Sequence, residues 1–402
     1  MKKKLISLAV AGALATPMVV SAQGTSVTMF GSAQAEYATV DYDGFTSQAL
    51  IGDDTGRSRW GVHVVEQLGG GLKAKAHLEF GFNTGSSDLG FARERWVALA
   101  NDQWGEVKFG RVQSPFKDFA GGQTIDPFAY TTLQAAGSGG TMTASANGMG
   151  SGAQSFVNSA VRYDSPKVEG FSFAALLMPG DSEKLDPVLG GSSSPNSGGE
   201  DGEWDFQITG KYEATVANEH NLGVFGGYSR DNISSKQRTL QTASFGPGAD
   251  DEQVWRGGAS WSFRDFRIAG QYEDINDASM NGAASCTTAA QLGAAGPTGG
   301  FNGDRGQCNS AMNVNGDGNL WFVSGEYALG STRLIAQGGM AEAKRTAFAD
   351  KRDVSSFTVG AIHNLSQRTS LFGGYQRNMI DDKNPTGFRD SNVYTVGMRH
   401  NF

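Results

Sequence analysis

The chain has 402 residues, of which 57 are glycine, 10 are proline and 10% are aromatic, and its formal net charge is −8. This acidic balance argues against nucleic acid as a partner, because proteins that bind nucleic acid neutralise phosphates with lysine and arginine. A chain rich in glycine and aromatic residues, without a collagen repeat, is typical of an all-β protein with many tight turns.

The first segment has the features of an export signal. Lysines at positions 2–4 precede an apolar run over residues 5–20, and small residues follow it. This order predicts a secretory signal peptide, residues 1–22, cleaved after Ala22. A transmembrane anchor is the alternative, but the run is short and no stop-transfer segment follows. Residues 23–402 are then expected to form one exported domain.

Beyond the signal, apolar and polar residues alternate over segments of about 10 to 12 residues. Between Leu72 and Phe82, for example, every second residue is apolar, whereas Lys73, Lys75 and Glu79 lie between them. A period of two predicts a β-strand with one apolar and one polar face. Strands of this length suit a bilayer, which a tilted strand of ~9–11 residues crosses, better than a globular sheet with strands of ~5–6 residues.

Sixteen such strands are predicted along the chain. They cover residues 26–40, 57–68, 72–83, 92–101, 105–114, 160–165, 169–179, 204–216, 220–230, 252–263, 265–277, 319–330, 331–345, 354–366, 368–380 and 391–402. Their connections alternate between short and long, and aromatic residues recur near the strand ends, as in outer-membrane barrels. An even number of strands places both ends of the domain on the short-turn, periplasmic side.

A closed barrel satisfies the demands of such an environment. In hydrocarbon every backbone N–H and C=O needs an internal partner, and a closed barrel leaves no open edge. Sixteen strands enclose a space too wide for side chains to fill, so the interior holds water and tolerates charged residues. The sequence therefore predicts an all-β fold, a 16-stranded antiparallel transmembrane β-barrel with short periplasmic turns and long extracellular loops.

Two cysteines, Cys286 and Cys308, lie in one long glycine-, alanine- and asparagine-rich connection. In an oxidising compartment they are predicted to form a disulfide bond that closes this loop. A metal or catalytic role is disfavoured, because no histidine lies near them in sequence. Residues 313–318 resemble the start of a calcium-binding loop, but Ser324 stands where such a loop needs glutamate. No metal or cofactor is predicted.

Several motifs resemble those of the general-diffusion porins of Gram-negative bacteria. They are Ser58-Arg59-Trp60-Gly61, Gly70-Gly71-Leu72-Lys73-Ala74, Phe91-Ala92-Arg93, Gly105-Glu106-Val107-Lys108-Phe109-Gly110-Arg111 and Val161-Arg162-Tyr163-Asp164-Ser165-Pro166. The resemblance covers residues 23–402. It implies a homotrimer in the outer membrane, in contact with its lipids and with lipopolysaccharide, whose water-filled channels pass small hydrophilic solutes by passive diffusion. The terminal Phe402 resembles the signal that barrel-assembly machinery recognises.

The resemblance also implies where the pore is narrowest. The third long connection, residues 115–159, would fold into the barrel, so that wall arginines face acids on this loop. The wall residues that match are Arg59, Arg93 and Arg162, and the loop acids are Asp118 and Asp126.

Plainer roles stay open for these residues. A wall arginine could line the lumen away from the constriction, and Asp118 could cap a turn of the loop. Lys73, Lys75 and Glu79 are expected to be general lumen lining. Glu94, next to Arg93, departs from the family pattern and leaves the local charge of the pore, and its preference for anions or cations, undetermined.

The sequence also bears on three alternative functions. An outer-membrane hydrolase would need a nucleophile beside a base, but the five histidines are scattered one per strand and no G-x-S-x-G motif occurs. The sequence therefore predicts no enzyme. A soluble β-rich adhesin would share the signal and the turns, but it has no reason to alternate short and long connections. A substrate-specific outer-membrane channel is the nearest alternative, and would need a dedicated pocket along the lumen.

Overall fold

The computed structural model describes residues 24–42, 45–48, 52–53, 57–85, 91–137, 156–179, 204–216, 219–232, 250–278, 316–344, 352–382 and 390–402. The predicted signal peptide, residues 1–22, lies outside these ranges. The predicted disulfide bond between Cys286 and Cys308 also lies outside them.

The described residues form seventeen strands, sixteen of which make up the wall of a closed antiparallel barrel. The strands are β1 (Thr25–Tyr42), β2 (Phe45–Gln48), β3 (Arg59–Gly69), β4 (Leu72–Gly81), β5 (Phe91–Asn101), β6 (Gly105–Gln113), β7 (Phe156–Asp164), β8 (Phe171–Pro179), β9 (Trp204–Thr215), β10 (His220–Asp231), β11 (Glu252–Phe263), β12 (Phe266–Ala278), β13 (Gly316–Leu329), β14 (Thr332–Ala343), β15 (Arg352–Asn364), β16 (Thr369–Asp382) and β17 (Ser391–Asn401). The sixteen predicted strands are confirmed.

The first and last strands close the barrel. β17 pairs with the second half of β1, from Asn401 opposite Ser32 to Ser391 opposite Tyr42, while the first half of β1 pairs with β3. The additional strand β2 folds back on the end of β1 as a short hairpin, with Phe45 opposite Tyr42 and Gln48 opposite Thr39. It falls in the predicted long connection 41–56, so the sequence pattern missed it.

The two faces of the wall differ as the alternation predicts. Large apolar side chains such as Val97, Trp255 and Tyr394 are exposed on the outer face, whereas polar side chains such as Thr358 and Gln376 are buried on the inner face. This is the reverse of a soluble protein, and it suits a wall with hydrocarbon outside and water inside. The fold therefore excludes the soluble alternative.

Glycine makes the tightest of the short turns possible. Gly69, Gly70 and Gly71 connect β3 to β4, and all three have positive φ angles, of 89°, 59° and 80°. Other residues rarely adopt this left-handed region because their Cβ atoms collide with the backbone. The predicted turn at residues 69–71 thus has a direct physical cause.

Irregularities in the ladders shift two strands from their predicted alternation. The pairing of β6 with β7 changes register between Gly110 and Val112, and Ser159 has a φ of +51°. The alternation is interrupted at this point, so the sequence predicts a start at residue 160, whereas β7 begins at Phe156. The pairing of β4 with β5 changes register between Leu78 and Phe80, where Arg93 and Glu94 form a bulge.

Loop 3 is the connection from β6 to β7, and residues 114–137 of it are described. It contains a short helix, α1 (Pro115–Asp118), and a 3-10 turn (Gly122–Thr124). Within the described residues, no helix is long and apolar enough to span a membrane. The side chains that loop 3 contacts belong to the inner face of the wall, as described below.

Candidate functional site

Loop 3 is fastened to the inner wall by uncharged groups on five strands. Gln207 accepts a hydrogen bond from the backbone N–H of Phe116 (2.8 Å), and Gln271 accepts one from that of Gly122 (2.6 Å). Further along, the donors are on the wall and the acceptors are backbone carbonyls of the loop: Ser324 to Ile125 (2.7 Å), and Gln337 (3.2 Å) and Gln376 (3.0 Å) to Leu133. We call Gln207, Gln271, Ser324, Gln337 and Gln376 the wall anchors.

One buried ion pair strengthens this attachment. Arg256 on β11 lies opposite Glu273 on β12, with 2.7 Å between Nη2 and Oε1, and neither side chain is exposed. Arg256 also donates to the backbone carbonyls of Phe116 (2.6 Å) and Ala120 (3.1 Å). Its guanidinium carbon lies 4.1 Å from the centre of the Phe116 ring. Arg256 therefore joins the wall to the first turns of loop 3.

The loop approaches the wall so closely that one position requires glycine. Gly121 has a φ of +74°, and a Cβ atom there would lie 2.7 Å from the Phe225 ring and 2.8 Å from Cδ of Arg256. Both distances are shorter than carbon–carbon contact allows. A side chain at this position would push the loop away from β10 and β11.

Asp126, one of the two predicted constriction acids, lies inside loop 3. It is 4% exposed and accepts hydrogen bonds from the backbone N–H groups of Phe128 (2.8 Å), Ala135 (2.7 Å) and Ala136 (2.9 Å). Burial raises the pKa of Asp126 to about 6, although the three donors act in the opposite direction. Asp126 thus holds the turns of the loop together.

Asp118, the other predicted acid, contacts a predicted wall arginine directly. Its carboxylate lies 2.7 Å from Nη1 of Arg162 on β7. Arg162 also pairs with Asp164 (2.7 Å) and donates to the backbone carbonyl of Gln113 (2.9 Å). These bonds connect α1 to β6 and β7, and they place two carboxylates against the guanidinium of Arg162.

The other two predicted arginines converge on one carboxylate. Glu79 on β4 forms ion pairs with Arg93 on β5 and with Arg59 on β3, the latter at 3.5 Å between Nε and Oε2. Glu79 and Arg93 are each only 3% exposed. Glu79, expected to be general lumen lining, therefore belongs to the same group as the arginines.

The bulge on β5 decides where Glu94 points. Because two residues, Arg93 and Glu94, stand opposite Glu79, both side chains reach the inner face. Glu94 accepts hydrogen bonds from Nε1 of Trp96 (3.0 Å) and Nε2 of Gln113 (2.7 Å). The departure from the family pattern at Glu94 thus places a carboxylate in the lumen.

Several cationic side chains lie close to two aromatic rings beside loop 3. The Tyr130 ring lies 5.1 to 5.8 Å from the cationic groups of Arg57, Arg59 and Lys117, and the Phe156 ring lies 3.7 to 5.4 Å from those of Lys117, Arg93 and Arg111. Arg399 donates to the backbone carbonyl of Tyr130 (3.3 Å). Cations over aromatic faces are attracted by the ring electrons. We call Arg57, Arg59, Arg93, Arg111, Lys117 and Arg399 the basic cluster.

Carboxylates near the basic cluster are fewer than its cations. The negative charges of Glu79 and Glu94 attract Arg59, and those of Glu36 and Asp53 attract Arg399. Six cations and four carboxylates leave two positive charges in excess in this part of the described structure. Sequence reasoning did not assign Arg57, Arg111 or Arg399 to the constriction, because contacts between distant parts of the chain bring them to loop 3.

Two groups on loop 3 titrate near neutral pH. Burial lowers the pKa of Lys117 to about 8. The pKa of Tyr130 is also about 8: burial raises it, but the positive charges of Lys117, Arg59 and Arg93 outweigh burial and lower it. The charge of the cluster therefore depends on pH slightly above neutrality.

Lys73 and Lys75 lie nearer the periplasmic turns. Lys73 pairs with Asp102 at 2.9 Å, and Asp102 is 86% exposed at the turn between β5 and β6. Lys75 pairs with Glu106 on β6. Both pairs are separate from the basic cluster.

The sequence profile of the Gram-negative porins matches residues 7–384, nearly the whole chain. The chain belongs to the Gram-negative porin family. It is 27% identical to outer membrane porin protein 32 of Delftia acidovorans over 99% of this chain and 95% of the relative. It is 26% identical to an outer membrane porin of Bordetella pertussis over the full length of both.

Solved porin structures share the fold. The anion-selective porin from Comamonas acidovorans superimposes with a TM-score of 0.61 at 19% identity, over 94% of this chain and all of that one. OmpF of Salmonella typhi, in complex with daunomycin, superimposes with a TM-score of 0.68 at 14% identity, over 94% of this chain and 98% of that one. The trimer form of OmpT from Vibrio cholerae superimposes with a TM-score of 0.57 at 15% identity, over 94% of this chain and all of that one.

This porin is thus a multi-pass β-barrel of the outer membrane and a channel for passive diffusion of small hydrophilic solutes. The family, barrel fold, membrane location and channel function predicted from the sequence are confirmed. The family consists of channels rather than enzymes.

Proposed function

We propose that loop 3 and the basic cluster form the constriction of this porin, and that the constriction favours anions. The observation that carries the proposal is the excess of cations, six against four carboxylates, around Tyr130 and Phe156. Charge lining a narrow pore sets the sign of the ion that passes most readily. The anion-selective porin among the structural neighbours is consistent with this assignment.

The roles we propose for these residues differ from the simplest expectation, in which wall arginines face the acids of loop 3 across the pore. Arg59 and Arg93 supply the wall cations, and Glu79 orients both. Arg162 and Asp118 fix α1 to the wall through their ion pair, and Asp126 maintains the loop. Ordered water between the charges would be disrupted by an apolar solute, so hydrophilic solutes pass more readily.

Reversal potentials across planar bilayers in a salt gradient test the proposal. Wild-type protein is expected to prefer the anion, and Arg93→Ala is expected to move the reversal potential toward the cation, because the cluster loses one of its two excess charges. Lys73→Ala is the matched control, since Lys73 lies at a periplasmic turn. A cation-selective wild type, or equal potentials for wild type and Arg93→Ala, would contradict the proposal.

A homotrimer is the assembly we propose for this porin, surrounded by outer-membrane lipids and lipopolysaccharide. The trimer form of the Vibrio cholerae structure supports it, as do the large apolar side chains on the outer face, which can contact both lipid and neighbouring subunits. Light scattering of the detergent-solubilised protein before and after heating would measure the mass. A folded monomer before heating would exclude the trimer.

Phe402 is the residue we propose as the recognition signal for barrel-assembly machinery. Its backbone N–H donates to the carbonyl of Gly31 and its carbonyl accepts from the N–H of Gly31, both at 3.0 Å. Its side chain remains 47% exposed. We expect Phe402→Ala to reduce folded, heat-modifiable protein in the outer membrane more than the outward-facing control Phe357→Ala. Equal amounts would exclude the signal role.

A further inference from the structure

A cluster of potential metal ligands lies on the inner face of β4 and β5, beside the constriction. Nε2 of His77 is 4.0 Å from Oε2 of Glu79 and 4.0 Å from Oε2 of Glu94. One ligand atom from each of the three residues lies within 4.8 Å of the other two. A nitrogen facing two carboxylate oxygens is a donor set for a divalent cation.

The imidazole of His77 is held in place by aromatic packing. Its ring stacks on Trp96, with centroids 5.0 Å apart and planes at 5°, and on Phe30, also at 5.0 Å. Its Nε2 is buried and has no hydrogen-bond partner within the described residues. Because buried polar atoms are normally paired, this nitrogen is a candidate ligand atom, and it faces both carboxylates.

The surrounding hydrogen bonds are those expected around a metal site. Nδ1 of His77 lies 3.4 Å from Nδ1 of His63, which can accept its proton and leave Nε2 free to bind. Glu94 is fixed by Trp96 and Gln113, as described above. Metal-binding histidines and carboxylates are commonly oriented by such outer contacts.

We infer that His77 Nε2, Glu79 and Glu94 bind a divalent transition-metal ion of the Zn²⁺ type, with lumen water at a fourth position. One imidazole and two carboxylates suit Zn²⁺, whereas Mg²⁺ and Ca²⁺ favour all-oxygen sites. At metal–ligand distances of ~2.1 Å the donor atoms would move to about 3.4 Å apart, a small side-chain adjustment.

The arginines set the strength of this site. Arg59 and Arg93 already pair with Glu79, so the ion competes with them for this carboxylate. Binding is consequently weaker than at a closed structural zinc site, and reversible by chelation. Bound Zn²⁺ would add two positive charges next to the basic cluster and strengthen its preference for anions.

Calorimetric titration of the detergent-solubilised porin with ZnCl₂ tests binding itself. Wild type is expected to bind one Zn²⁺ per chain at this site, and His77→Gln and Glu94→Gln are each expected to weaken it at least tenfold. His363→Gln is the matched control, because His363 is exposed and hydrogen-bonded to Thr332. Heat-modifiable migration on gels verifies that each variant folds. If one of the two ligand variants does not fold, the other still tests the site.

The outcomes separate clearly. Equal Zn²⁺ affinity in wild type and in the folded ligand variants would overturn the site, as would MgCl₂ binding with the same affinity. An electrical measurement adds an arm that rests on the proposed function: Zn²⁺ should move the reversal potential toward the anion in wild type and not in His77→Gln. Calorimetric binding without this movement would leave the metal site in place and count against the proposed constriction.

Discussion

The two sides of loop 3 are built from different chemistry. On one side, the wall anchors Gln207, Gln271, Ser324, Gln337 and Gln376 meet backbone groups of the loop with uncharged hydrogen bonds. On the other side, the basic cluster surrounds Tyr130 and Phe156 with an excess of positive charge.

The difference separates attachment from selection. Neutral hydrogen bonds with well-matched partners hold a loop whatever ion passes by, because they carry no net charge. The cations of the basic cluster are stabilised by aromatic faces and incompletely neutralised, so their field remains available to solutes. Changes on the first side are therefore expected to alter stability and pore size, and changes on the second side to alter ion preference.

The largest effect is expected from breaking the attachment of loop 3 through the buried Arg256. Arg256→Met would remove the positive charge that pairs with the buried carboxylate of Glu273, and removing one member of a buried pair typically costs about 3–5 kcal/mol. It also removes the bonds to Phe116 and Ala120, so loop 3 should loosen and single-channel conductance should rise. Heat-induced unfolding in detergent and planar-bilayer recordings measure the two effects.

A double variant distinguishes the two consequences. Arg256→Met combined with Glu273→Met removes both charges, so most of the stability should return, while the higher conductance should persist because the bonds to loop 3 remain absent. A single variant as stable as wild type, with unchanged conductance, would show that Arg256 does not fasten the loop.

A smaller effect is expected from pH on the basic cluster. Lys117 and Tyr130 both have pKa values of about 8. As pH rises through 8, Lys117 loses a positive charge and Tyr130 gains a negative one, so the anion preference should fall. Reversal potentials measured from pH 6 to pH 9 would record the change.

Substitutions on the loop provide the controls for this profile. Lys117→Arg keeps its charge in this range, and Tyr130→Phe cannot ionise, so each should reduce the dependence on pH. A wild-type reversal potential that stays constant between pH 7 and pH 9 would show that neither group titrates within the ion path.

The smallest effect is expected far from both sides of the loop. Asp102→Asn breaks the pair with Lys73 at a solvated turn, where ion pairs contribute little because water screens them. We expect no measurable change in unfolding temperature or in reversal potential. A clear change in selectivity would extend the functional charge to the periplasmic end of the channel.

The sequence predicted the wall far better than the constriction. Alternation with a period of two follows from strand geometry, so the sequence predicts a strand over residues 252–263, and the observed bounds are Glu252–Phe263. The bulge at Arg93 and Glu94 and the positive φ of Ser159 interrupt this period, and such irregularities have no comparable sequence signal. β7 was therefore assigned too late in the chain.

Assignments on loop 3 depend on contacts between distant parts of the chain. The family resemblance predicts both Asp118 and Arg162 at the constriction, and in the structure the two side chains lie 2.7 Å apart. The enclosure of Asp126 by three backbone N–H groups follows from turns that the sequence alone does not fix. The histidine and glutamates of the inferred metal site lie on two strands, so no spacing motif predicted them.

The seam between β1 and β17 has a consequence for biogenesis. The hydrogen bond from Thr395 to Glu36 joins positions 359 residues apart, so the ring cannot be completed by local hairpins alone. Loop closure over such a distance is slow, and until it happens the edges of the first and last strands remain unpaired. A nascent barrel with fifteen paired strands can therefore still aggregate through its exposed edges, and pairing of the sixteenth strand removes them.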